Sequence, residues 1–185
     1  MYIFAADLEL HTIIEDALYA IQWHEDVEDD ILEKMSVAYN DAEYLSQYFN
    51  ENADKLKFYR NPSYSPQDAA VRTQKEADAL IQEIKELATD GLQGNGKSLD
   101  DLFERLHTDD AINHPRYYTD VKAKGYPGEA PWVRVYAVKC DENLYVITGY
   151  GIKLVRDMRD DPELRQELIK LEKATEFLKS IMMIS

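Results

Sequence analysis

Cysteine is almost missing from this sequence. Cys140 is its single thiol, which excludes a disulfide framework and any zinc site built on several cysteines, and agrees with a reducing compartment. Glycine and proline are scarce, at 7 and 6 of 185 residues, so collagen-like and linker-dominated chains are excluded. Long apolar runs are missing too. None approaches the ~18 residues needed to span a bilayer, and the start, Met1-Tyr2-Ile3-Phe4-Ala5-Ala6-Asp7, lacks the basic region and long apolar stretch of a secretory signal. The expectation is a soluble, cytoplasmic protein with no membrane partner. Basic residues are few: 21 against 36 acids, a formal net charge of -15. At long range such a chain repels nucleic acid and anionic lipid surfaces.

Apolar residues are not lacking. They make up 45% of the chain, too many for intrinsic disorder, and a chain of this length buries enough surface to fold without a staple. The charge is uneven. Residues 1–97 hold 20 acids and 8 bases, residues 98–185 hold 16 and 13, and within 111–156 seven bases face four acids. We therefore divide the chain into an acidic, mainly helical region with an N-terminal strand (1–97) and a β-meander with a C-terminal helix (98–185), together one folded unit.

Hydrophobic periodicity supplies the elements. Tyr2-Ile3-Phe4 and Ala17 to Trp23 read as short apolar, strand-like runs. Val27, Ile31, Met35 and Ala38 recur at helical spacing, and Asn40-Asp41 breaks that helix and caps a second one carrying Leu45, Tyr48 and Phe49. Ser65-Pro66-Gln67-Asp68 is a strong helix start, and the apolar stripe from Ala70 to Ala88 runs on to a stop at Asp90-Gly91. A short capped helix opens at Ser98, and 107–131 reads as irregular. In Trp132 to Val138, the residues Val133, Val135 and Ala137 share one face while Arg134 and Tyr136 share the other. A second strand, Leu144 to Thr148, is bent by Gly149 and Gly151 before Ile152 to Val155. Asp161-Pro162-Glu163 opens the last helix, whose core face carries Leu164, Leu168, Leu171, Ala174 and Leu178. The plan is α+β: a small antiparallel sheet, made by the C-terminal meander plus an N-terminal strand, packed with helices, one of them long and central.

Four local patterns suggest chemistry and carry little. Gly91 to Ser98 matches G-x-x-x-x-G-K-[ST], but a phosphate loop needs a strand before it, and here a long charged helix precedes it. The acids at 25–30 lack the spaced ligands and glycine of a calcium loop and suit a helix start. His107 and His114 have no evident third ligand, so no metal is expected. Cys140 lies beside a turn without a placed base and reads as an inert thiol.

The C-terminal third resembles the RelE/HigB-like toxins of the ParE/RelE superfamily. The resemblance rests on the alternating strand with its arginine, Trp132-Val133-Arg134-Val135-Tyr136-Ala137-Val138, on the acidic turn after it, and on the apolar strand that runs through glycine into lysine, Tyr145-Val146-Ile147-Thr148-Gly149-Tyr150-Gly151-Ile152-Lys153-Leu154. The Pro-capped helix at Asp161 completes it. It implies a twisted antiparallel sheet with helices on one side, a neighbouring helix-turn-helix antitoxin, and mRNA on or off the ribosome as substrate, with no cofactor and no DNA contact of its own. The chemistry implied is attack of a ribose 2′-OH on the adjacent phosphate, which needs a proton acceptor, a proton donor and cations beside the developing charge. By position Arg134 and Lys153 match the family's strand arginine and lysine. Tyr136 and Tyr150 would stack on a base or move a proton. Lys122, Lys124, Arg116 and Arg156 would contact RNA. The acidic N-terminal region is then an extension that shields or regulates the basic sheet. The alternative is a noncatalytic protein-interaction module on the same scaffold. A nucleotide-binding enzyme using residues 91–98 comes third.

Overall fold

The computed structural model describes residues 8–23, 30–59, 64–106, 120–124 and 131–185. The apolar run at Tyr2 to Phe4, the acids at 25–29, His107, His114 and Arg116 lie outside them. Six strands form one sheet: β1 (Leu8–Ile14), β2 (Leu18–Trp23), β3 (Glu104–Arg105), β4 (Asp120–Lys124), β5 (Val133–Asp141) and β6 (Leu144–Ile152). Their order is β1-β2-β6-β5-β4-β3, with every pair antiparallel except β2 and β6, which run parallel. The helices are α1 (Ile31–Asn40), α2 (Ala42–Glu51), α3 (Ala53–Tyr59), α4 (Pro66–Gln93) and α5 (Pro162–Ser180). The α+β class is that read from the sequence. β1, β3, β4 and α3 are additions to the elements read from the sequence, and β4 falls within the stretch 107–131 expected to be irregular.

Local signals set the helix starts. The Asp30 carboxylate accepts from Leu32 N and Glu33 N while Glu33 returns a bond to Asp30 N, a reciprocal cap that opens α1. The side chains of Asp41, Ser65 and Asp161 accept from first-turn amides of α2, α4 and α5, the last two each followed by proline at the first helical position. The end of α4 differs from the sequence expectation. The helix runs through Gly91 and closes at Gly94, whose φ of +69° is the left-handed conformation that glycine adopts without strain. Gly91 instead makes room: a Cβ there would lie 2.3 Å from the Asn143 side chain. That side chain donates to Ala88 O and accepts from Leu99 N, which ties the β5–β6 turn to the end of α4.

Helices cover both faces of the sheet, a correction to the one-sided arrangement that the family resemblance implies. On one face Val121, Ala123, Val133, Val135, Ala137 and Ile147 pack with residues of α1, α2 and α4, including Met35, Leu45, Phe49, Leu80 and Ile84. Trp132 sits wholly buried here, its indole N–H donating to Thr73 Oγ1 at 2.8 Å. The Glu76 carboxylate takes the backbone N–H groups of Trp132 and Val133 at 3.2 and 3.1 Å and pairs with Arg72 at 2.8 Å. The other face presents Tyr136, Val138 and Val146 to Leu164, Leu171, Ala174 and Leu178 of α5.

Candidate functional site

Cross-strand register decides which of the sequence-predicted residues meet. Lys122 of β4 lies opposite Tyr136 of β5, which lies opposite Gly149 of β6. In the next row of the same face, Lys124 lies opposite Arg134, and Arg134 opposite Gly151. Directly opposed residues share a face, and Tyr136 fixes that face as the one toward α5. Lys153 follows two residues after Gly151, and its backbone N–H donates to Trp132 O at 2.7 Å, so it lies beyond Arg134 at the same end of the sheet. Five of the predicted residues therefore gather at one end of β4–β6. The two glycines leave the β6 side of both rows without side chains.

The gathered groups are not widely open. Lys122 is 2% exposed, Arg134 7%, Lys153 8%, and Tyr136 is fully buried. The Arg134 guanidinium folds back on its own strand entrance, donating to Pro131 O at 2.8 Å and Val133 O at 3.0 Å. Lys124 reaches the exposed Glu104 carboxylate of β3 at 3.0 Å. Asp157 is held down at about 2, first by its hydrogen bonds from Arg159 and further by the charge of Lys153. Asp120, one row from Lys122 on this face, accepts a bond from the Thr175 hydroxyl of α5 at 3.2 Å.

Two predicted residues fall elsewhere. Arg156 is exposed beyond the end of β6. Tyr150 points to the opposite face, where its ring meets Tyr39 edge-on at 5.3 Å. Burial, then the charge of Tyr44, push its hydroxyl up to about 12, so at neutral pH it is a proton donor and not an acceptor.

Sequence reading passed over Glu167. It projects from α5 onto the backbone of Gly149, where a Cβ would sit only 1.7 Å from its Oε2. It is 8% exposed, Lys170 binds its Oε1 at 3.0 Å, and Oε2 has no hydrogen-bond partner. Burial raises its carboxyl above the ordinary glutamate range, against the opposing pull of Lys170. The signal in the sequence was Gly149 itself. A strand glycine marks a bulge or a close approach, and here it is both. Gly149 pairs with Tyr136 and Ile147 pairs with Ala137, so Thr148 is the extra residue of a β-bulge.

The phosphate-loop pattern lacks its structural context. α4 and not a strand precedes residues 94–98, and the loop's amides are engaged: Asn95 N donates to Asp90 O, Ser98 N to the Asp101 carboxylate and Asp100 N to Ser98 Oγ. Burial and the neighbouring Asp141 push the Cys140 thiol up to about 12, which leaves it protonated and unreactive. Among the described residues no group of three His, Cys, Asp or Glu side chains is placed to hold a metal ion, and no helix is long and apolar enough to cross a membrane. No protein-family model, curated protein sequence or solved structure gives a significant match to this chain.

Proposed function

We propose that the chain is a RelE/HigB-like toxin of a toxin–antitoxin system, cutting mRNA by 2′-OH attack on the adjacent phosphate. The observation that carries this reading is the gathering of Lys122, Lys124, Arg134 and Tyr136 on one face of β4 and β5, with Lys153 at the same end of the sheet. Cations focused there would stabilise the extra negative charge of a pentavalent phosphate. Tyr136 would move a proton. Glu167, beside Gly149 and with its carboxyl raised by burial, would accept a proton. A helix-turn-helix antitoxin is the partner this reading calls for. It involves no cofactor.

A second reading is favoured by a specific observation. Lys122 and Tyr136 are almost without exposed surface, which suits a noncatalytic interaction module whose cations are structural. One experiment separates the two. The full chain is expressed in a bacterial host while growth and mRNA integrity are followed, beside Lys153→Ala, Arg134→Ala and the milder Arg134→Lys, each checked for folding by circular dichroism. The ribonuclease reading expects growth arrest, with cleavage reduced about 100-fold or more when a folded variant lacks one cation. Harmless expression, with no RNA cut in the presence of ribosomes, leaves the interaction module.

A further inference from the structure

β2 and β6 are parallel neighbours, and their pairing stops at Ala20 and Ile147, one residue before the Thr148 bulge. Beyond it the ladder ends, and the Trp23 indole N–H donates to Thr148 O at 3.0 Å. The chain after β2 continues into α1 on one face of the sheet, and the chain after β6 continues into α5 on the other. Adjacent parallel strands whose following helices go to opposite faces open a crevice at their carboxyl ends, the usual ligand position in open sheets. A cleft of about 380 Å³ lies there, between α1, α2, α5 and the Gly149–Gly151 stretch, within the range of small-molecule sites.

Its walls have a definite chemistry. Aromatic rings come from Trp23, Tyr39, Tyr44 and Tyr150, carboxylates from Glu163 and Glu167, and ammonium groups from Lys170 and from Lys34 on α1. Glu163 and Tyr44 lie close enough to feel each other's charge, as do Glu167 and Tyr150, so each acid stands beside a ring. Glu167 keeps a buried oxygen without a partner. Glu163 has no ion pair among the described residues. The molecule itself shows what such walls accept: the Lys170 ammonium is bound to Glu167 at 3.0 Å and stands 5.9 Å over the Trp23 ring. Ammonium groups favour this combination of carboxylate and π-face. Lys170 is 38% exposed, so its side chain can swing outward and leave that place to a ligand.

We infer that this cleft is a binding site for a small aliphatic amine, whose ammonium group sits between Glu163 and Glu167 with its alkyl stem against Tyr44 and Tyr150. The cleft adjoins the cationic end of β4–β6 and shares Glu167 and Gly149 with it, but amine binding is read out without any ribonuclease activity. The net charge of -15 adds a long-range attraction for such ligands, but a general attraction is neither saturable nor sensitive to single residues.

The test is calorimetric titration of the full chain at neutral pH with cadaverine, with Nα-acetyl-lysine methylamide, and with the uncharged 1-pentanol. The variants are Glu167→Gln, Glu163→Gln and Tyr44→Ala, with Glu142→Gln on the exposed β5–β6 turn as control. Melting curves establish which variants are folded. Saturable amine binding is expected, weakened about tenfold by loss of either carboxylate and about threefold by loss of the half-exposed Tyr44 ring, and unchanged by Glu142→Gln. Binding of cadaverine alone marks a free diamine as the ligand, and equal binding of the blocked lysine marks a lysine side chain as sufficient. Non-saturable binding, equal weakening by the control, or pentanol binding as tightly as cadaverine overturns the inference.

Discussion

The two faces of the sheet are built from the same strands and differ in nearly every physical respect. Toward α1, α2 and α4 the strands present aliphatic side chains and the rings of Tyr145 and Tyr150, and the Glu76 carboxylate that reaches them has each of its oxygens bound. Toward α5 the strands present Asp120, Lys122, Arg134 and Tyr136 beside Val138 and Val146, and the helix answers with Glu167 and Thr175 as well as leucines. Burying that much polarity costs stability unless every group is paired. The first face is what a core needs. The second buries charged and polar groups among its leucines, as the proposed ribonuclease site would require.

Mutations can break this contrast or sharpen it. The largest loss is expected on the apolar face: Trp132→Ala removes a fully buried indole and its bond to Thr73 and should lower unfolding free energy by about 4 kcal/mol, read by urea denaturation. Glu76→Ala comes next. It strands the amides of Trp132 and Val133 and leaves Arg72 without its carboxylate, for about 3 kcal/mol in the same assay. On the α5 face, Thr175→Val keeps the shape and loses the hydroxyl shared between Leu171 O and Asp120. About 1 kcal/mol is expected, and a loss as large as that of Trp132→Ala would erase the distinction between the faces.

Glu167→Gln is the smallest and has the opposite sign. The groups around this carboxyl are Lys170 and Glu163 on α5, Tyr39 on α1 and Tyr150 on β6, with Lys34 also lining the cleft. Because its folded pKa is raised, the folded state holds this proton to higher pH than the unfolded state does. Stability therefore falls as pH rises through the interval from the ordinary glutamate value, about 4.3, to the raised one. The variant lacks that fall. It should lose less stability than the wild type as pH rises from about 4 to about 7, measured as the difference between melting curves across pH.

Some of this was legible in the residue order. Ser65-Pro66, Asp161-Pro162 and Asp41 cap the helices they announce because a cap is a local hydrogen-bonding event. The alternation in Val133 to Val138 sorted the β5 side chains onto the correct faces because the pleat has a fixed period of two. β4 was hidden: Asp120-Val121-Lys122-Ala123-Lys124 buries two of its three charged residues, Asp120 and Lys122, where an alternating polar face would be expected to meet water. β1 was hidden because Leu8 to Ile14 is an edge strand with several exposed positions. The cationic residues could be named from the sequence, but their rows could not, since register joins positions far apart in the chain.

The sequence by itself determined the starts of α2, α4 and α5, though not the existence of α3, together with the two-sided character of β5 and the excess of acid, all of which follow from interactions between near neighbours or from counting. Only the tertiary structure decided that β2 lies parallel to β6, that the chain leaves those strands toward opposite faces, and that α5 covers the charged one. Those choices depend on which distant surfaces bury each other, and no local period encodes which partner a strand or a helix will find.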